Sequence, residues 1–268
     1  MRINTNVNAM IATNQMTKNT ALAGNSMEKL STGLRITKAG DDAAGLAVSE
    51  KMRAQIRGME QAERNVQDGI SMVQTAEGAL EEAGNIAQRM RELAVQAGND
   101  TLNDEDRNKI EEEMTQLQTE IGEIAKETKF NGNSLLDGSN TTFTIQAGAN
   151  SEVREVAMAN LDEIATNISV SINDVTEAQK TVKSVDDALE KINTGRSKLG
   201  AMQNRLEYTS SNLTTSTENL SAAESRIRDV DVAKEMVKLS KLNILNQASQ
   251  AMVSQAKQQP ESVTQLLR

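Results

Sequence analysis

Small and apolar side chains recur without a break from Met52 to Ala97, through Val66, Val73, Leu80, Ala87 and Met90. The steps alternate between three and four residues and average about 3.5, the seam spacing of a left-handed coiled coil. A helix carrying such a seam is roughly 70 Å long. It needs partners of comparable length, which rules out a compact layered fold around one thick core. The chain also lacks the aromatic bulk for such a core, having one tyrosine, two phenylalanines and no tryptophan among 268 residues. Thirteen methionines and a single proline suit narrow helical seams instead.

The rest of the chain falls into place around this helix, predicted over 46–98 and ended by Gly98-Asn99-Asp100. Asn103 and Asp104 cap a second helix whose seam runs Ile110, Met114, Leu117, Ile121 and Ile124. The short connection predicts an antiparallel helical hairpin. Phe130-Asn131-Gly132 breaks that helix. Alternating segments near Thr142–Gln146 and Val153–Met158 flank Gly148-Ala149-Asn150 and predict a β-hairpin within about 141–161. Residues 159–174 read as polar and irregular. From about Val175 the 3.5-residue repeat returns as a second very long helix, antiparallel to the first. The fold class is mostly α: a long antiparallel helical bundle with a small β-hairpin, plus paired terminal helical arms.

Those arms, 1–33 and 229–268, are the weak part of the pattern. Ile3, Val7 and Met10 begin a seam at the N-terminus, and Val237, Ile244 and Ala251 form one near the C-terminus. Many intervening positions are Asn, Thr, Gln or Ser, poor helix formers in isolation. The arms are therefore expected to fluctuate in a free monomer and to become helical when a partner covers their stripes. A joint, 34–45, links the arm to the bundle at 46–228. Gly33 suits a left-handed helix end, and Asp41 and Asp42 are placed to start the next helix.

Several kinds of chemistry are excluded. With no cysteine and no histidine there is no thiolate nucleophile, no imidazole base and no ordinary zinc or copper site. Neither an enzyme nor a cofactor is expected. A net charge of −9 disfavours nucleic acid and anionic membranes as partners. No apolar run is long enough to span a bilayer, and the first residues lack the plan of a cleaved signal peptide. The Asp41-Asp42 pair reads as a cap rather than a metal site, and the methionine-rich seam as core rather than a ligand groove.

The ordered set MRINTNVNAM, MEKLSTGLRITKAGDDAAGLAVSEKMRAQIRG (27–58), NVQDGISMVQTAEGALEE (65–82), QRMRELAVQAGN (88–99), TKFNGNSLLDG (128–138) and NLSAAESRIRDVDVAKEM (219–236) with a terminal LLR resembles bacterial flagellin over essentially the whole chain. The resemblance implies a subunit of the extracellular flagellar filament, a homo-oligomer assembled at the distal tip after unfolded export, and without variable outer domains. It implies an export chaperone on the C-terminal arm (about 229–268), the export apparatus, and filament cap and junction proteins as partners. It places Ile3, Val7, Val237, Ile244, Ala251, Leu266 and Leu267 in inner-tube packing. Leu34, Arg35 and Ile36, with Asp41 and Asp42, are expected at subunit contacts around the joint.

For animal hosts, the resemblance implies contact of a flagellin-sensing Toll-like receptor with Arg89, Leu93 and Gln96 on the first long helix and Glu113 on the second. Positions 89, 93 and 96 lie one residue off the seam and are expected to be available to a partner. Two other readings stand beside the filament subunit. A hook–filament junction protein shares helical arms but is present in low copy. A soluble coiled-coil signalling or adaptor protein has ordered ends and forms no fibres.

Overall fold

The computed structural model of the chain describes residues 5–266, with side chains described through 258. Six helices and four short strands follow one another: α1 Val7–Thr32, α2 Ala43–Ala97, α3 Asp104–Glu127, β1 Lys129–Phe130, β2 Asn133–Ser134, β3 Thr142–Gln146, β4 Val153–Ala157, α4 Leu161–Thr166, α5 Val175–Arg228 and α6 Val232–Leu266. The chain divides into two compact units. One comprises Met1–Ala54 with Asn219–Arg268, the other Gln55–Glu218. One boundary lies within α2 and the other within α5.

In unit 55–218 the predicted seams are the core. Val66, Val73, Ala76, Leu80, Ala87, Met90, Ala94 and Ala97 are fully buried on α2. Facing them are Met114 and Ile121 on α3, and Val185, Ile192, Leu199 and Leu206 on α5. α2 and α5 run antiparallel in unbroken register. Glu63 meets Thr214, Leu80 lies against Gly195, and Arg91 donates to Asp186 at 2.6 Å. α3 starts where expected, with the Asn103 side chain accepting from the Asp106 N–H at 2.8 Å. Small residues on α2 seat the β3–β4 hairpin. Gly58 leaves room for Ala149, and a side chain at Gly69 would overlap Ile145.

The segment 128–174 holds more order than its sequence suggests. Lys129–Phe130 and Asn133–Ser134 pair as a minute hairpin. Asn131 and Gly132 turn it with φ of 49° and 83°, the backbone that an Asn-Gly turn between strands requires. Residues 159–174, expected to be irregular, contain α4. Asn160 caps it by accepting from the Glu163 N–H at 3.0 Å. Leu161, Ile164, Ala165, Ile168 and Ile172 are all buried. The Gln118 amide donates to the Ala165 and Ile168 carbonyls at 2.8 and 3.0 Å, tying the end of α4 to α3.

In the other unit, α1 and α6 pair antiparallel. The Asn6 amide donates to the Ala256 carbonyl at 2.6 Å, and the Val230 N–H to the Gly33 carbonyl at 3.0 Å. Each terminal helix therefore has the other as its cover.

Candidate assembly surfaces

The joint is stitched rather than loose. α1 ends at Gly33 with φ 71°, a left-handed cap open to a residue without Cβ. The chain then runs antiparallel to the α5–α6 connection, with Leu34 bridging Asp229. The Arg35 N–H donates to the Arg228 carbonyl at 2.6 Å, and the Arg35 guanidinium donates to the Ile227 carbonyl. Arg228 is nearly buried, and its guanidinium donates to Glu50 at 2.6 Å. Ile36 is 1 % exposed.

This corrects one expectation. Ile36 is not free for a neighbouring subunit, because it fills the space left beside Gly45, where a Cβ would meet it and the Asp42 carboxylate. Leu34 and Arg35 have their backbones engaged within the chain. The two aspartates divide their work. Asp42 caps α2, accepting from the Gly45 N–H at 2.9 Å. Asp41 instead closes the preceding turn, accepting from Thr37 and Lys38, and the Thr37 N–H above all holds its carboxyl below the ordinary range. The Arg228–Glu50 pair had no strong signal in the sequence beyond an arginine in the last turn of a helix, a favourable place for a cation.

The arm pair shows a second difference. The stripe of α1 turned toward α6 is Ala9, Ala12, Met16, Asn19, Ala23, Ser26 and Leu30, all buried or half-buried. That of α6 is Glu235, Leu239, Leu242, Asn246, Ser249, Val253 and Ala256. The expected seams lie two residues away in sequence, about 200° round the helix, on the opposite face. Val7 and Met10 are exposed, as are Val237 at 71 %, Ile244 at 65 %, and Ala251. Met16, Leu30, Leu239 and Leu242 join the small residues of this inner seam, while Val237 and Ile244 are left outside. Ile3 and Leu267 lie outside the described residues, and so does the side chain of Leu266.

Two apolar concavities accompany these faces. One of about 530 Å³ runs between α1 and α6, against Ile11, Ala12, Leu245 and Met252. Another of about 480 Å³ lies along α6 at Met236, Val237 and Ile244. Single exposed apolar residues are ordinary, but a contiguous face of this kind marks an interaction surface.

A capping carboxylate at the start of α6 makes that helix sensitive to acid. The Lys234 N–H donates to the Asp231 side chain at 3.1 Å and holds that carboxyl below its ordinary range. A lowered carboxyl adds stability above its ordinary pKa and loses it as pH falls through the lowered value. The helical signal of the arms in circular dichroism is expected to hold from neutral pH down to about pH 5 and to fall below about pH 4. A constant signal down to about pH 2 would contradict this.

A family model described as the bacterial flagellin N-terminal helical region matches residues 3–141, and one described as the bacterial flagellin C-terminal helical region matches residues 182–267. The chain belongs to the bacterial flagellin family. It is 54 % identical to a flagellin of Halalkalibacterium halodurans and 49 % identical to a flagellin of Bacillus subtilis, along the whole of both chains in each case. The crystal structure of Bacillus cereus flagellin is 35 % identical with a TM-score of 0.52, covering 60 % of this chain and 94 % of that one.

In this flagellin-family chain the positions expected to meet a receptor do not form one surface. Arg89 is exposed and donates to Glu113 at 3.1 Å and Glu92 at 3.2 Å. Gln96 is exposed. Leu93 is 2 % exposed and belongs to the core. The reason is the number of helices around α2. Its Arg89 side reaches α3 and its Arg91 side reaches α5, so its buried arc is wider than a two-helix seam. Among the described residues, no group of acidic side chains is placed to hold a metal ion, and no helix is long and apolar enough to cross a membrane.

Proposed function

We propose that this chain is the structural subunit of a bacterial flagellar filament, polymerising outside the cell into a helical array of identical copies. The observation that carries this reading is the large apolar face that α1 and α6 leave uncovered when paired only with each other. Family membership supports the same conclusion. The arms order fully at the growing tip, where neighbouring copies cover Val7, Met10, Val237, Ile244 and Ala251. The entropy of ordering them is lost at that step and recovered through burial. Unfolded passage through the export apparatus suits a chain whose terminal seams are thin. An export chaperone on 229–268 would cover the same apolar face, and cap and junction proteins would meet the arms at the two ends of the filament. Joint residues at and near Asp41 and Asp42 lie at subunit contacts. Contact with a host Toll-like receptor is confined to the exposed Arg89, Gln96 and Glu113, with Leu93 supporting them from within.

The test is electron microscopy of purified chain added to short filament fragments. Elongation of the fragments is expected. Fragments that stay the same length while the chain remains soluble would refute the reading, and would leave a junction or adaptor role.

A further inference from the structure

Polar side chains interrupt the α1–α6 seam at its middle. Asn19 is 3 % exposed, and its amide donates to the Ser249 hydroxyl at 3.5 Å. The Gln15 amide donates to the Asn19 side-chain oxygen at 3.3 Å. One position along, the exposed Thr20 hydroxyl reaches the Asn246 side chain at 3.5 Å. Helix pairing by itself has no need of these groups, since leucines there would bury more apolar area.

We propose that Asn19, set against Ser249, fixes the register in which the two arms pair, and through it the alignment of their outward apolar faces. Once the backbone bonds of the joint at one end give way, two antiparallel helices with a seven-residue repeat can slip by seven and keep their apolar pattern. A slip in one direction puts Leu242 in place of Ser249 beside Asn19 and Leu239 in place of Asn246 beside Thr20. A slip in the other puts Ala256 and Val253 in those two places. Either leaves a buried amide among aliphatic side chains, without the partner that such a group requires. Apart from Met16 and Leu30, the other members of the α1 stripe discriminate poorly. Ala9, Ala12, Ala23 and Ser26 are small enough to face either set. A single polar residue in a seam trades pair stability for a defined register, its best attested use in coiled coils.

The consequence rests on the filament reading above. A slip of seven residues moves Val237 and Ile244 by roughly 10 Å relative to Val7 and Met10. A neighbouring copy then meets a face whose two halves no longer match.

The chain has no cysteine, so introduced thiols report register directly. Thr20→Cys with Asn246→Cys joins the arms in the observed register, and Thr20→Cys with Val253→Cys joins them slipped by seven. In the full chain under mild oxidation, the first pair is expected to close about tenfold more completely than the second. Adding Asn19→Leu and Ser249→Leu is expected to bring the two yields within about twofold. The same two leucines in the chain without thiols should make the arms more resistant to trypsin, yet slow elongation of filament fragments by about tenfold or more. Arms that are better protected but assemble worse exclude simple misfolding. Equal closure of both pairs with Asn19 and Ser249 intact overturns the proposal, and so does an unchanged preference after the leucine substitutions. If the unsubstituted chain itself fails to elongate fragments, the filament reading falls, while the thiol yields still decide whether Asn19 sets register.

Discussion

Val237→Asp combined with Ile244→Asp is expected to abolish elongation of filament fragments while leaving the unfolding of the 55–218 unit unchanged. In the single chain both side chains face water, at 71 % and 65 % exposure. Placing carboxylates there removes little packing within the chain, and such surface changes usually stay within about 0.5 kcal/mol. Between packed copies the balance reverses, because each carboxylate would be taken from water without a partner, at several kcal/mol in effective terms. The cost recurs in every subunit added, so growth should stop rather than slow. Electron microscopy measures the growth and circular dichroism verifies the fold. Fragments that lengthen at the ordinary rate would show that this face of α6 is not buried between copies.

Leu93→Ala is expected to destabilise the 55–218 unit by about 2–5 kcal/mol, the range for deleting most of a buried leucine and leaving a cavity. Gln96→Ala, one turn on and exposed, should change stability by less than about 0.5 kcal/mol. The pair separates core from surface within what looks like one stripe in the sequence. Denaturant titration of the full chain checks it, through the transition assigned to the bundle. Equal, small effects at both positions would mean that Leu93 is not held in the core. A receptor-binding loss at Leu93→Ala must accordingly be read against its stability loss.

The long helices, their antiparallel order and the β3–β4 hairpin were legible because large apolar residues recur there with one dominant phase. Met59 through Ala97 on α2 and Val185 through Leu213 on α5 are buried much as their spacing indicates. α4 escaped because six residues carry too short a pattern to stand out, although Leu161, Ile164, Ile168 and Ile172 repeat at three- and four-residue steps. Leu93 was misplaced because a seam read on one helix does not reveal how many neighbours surround it.

The arms show the limit most clearly. Each carries two stripes at the same period on opposite sides of the helix, and both mix apolar with small or polar residues. Sequence alone established that the ends are helical, thinly apolar and in need of cover, because periodicity and composition are local properties. Which stripe faces the same chain was decided only by tertiary structure. The stitched joint at Leu34–Asp229 and the Asn19–Ser249 pair bring the inner stripes together. Leu239 and Leu242 are turned inward there, and Val237 and Ile244 stay exposed on the far side. Tertiary structure likewise turned Ile36 inward, since the space beside Gly45 exists only once α2 has folded back against its own cap.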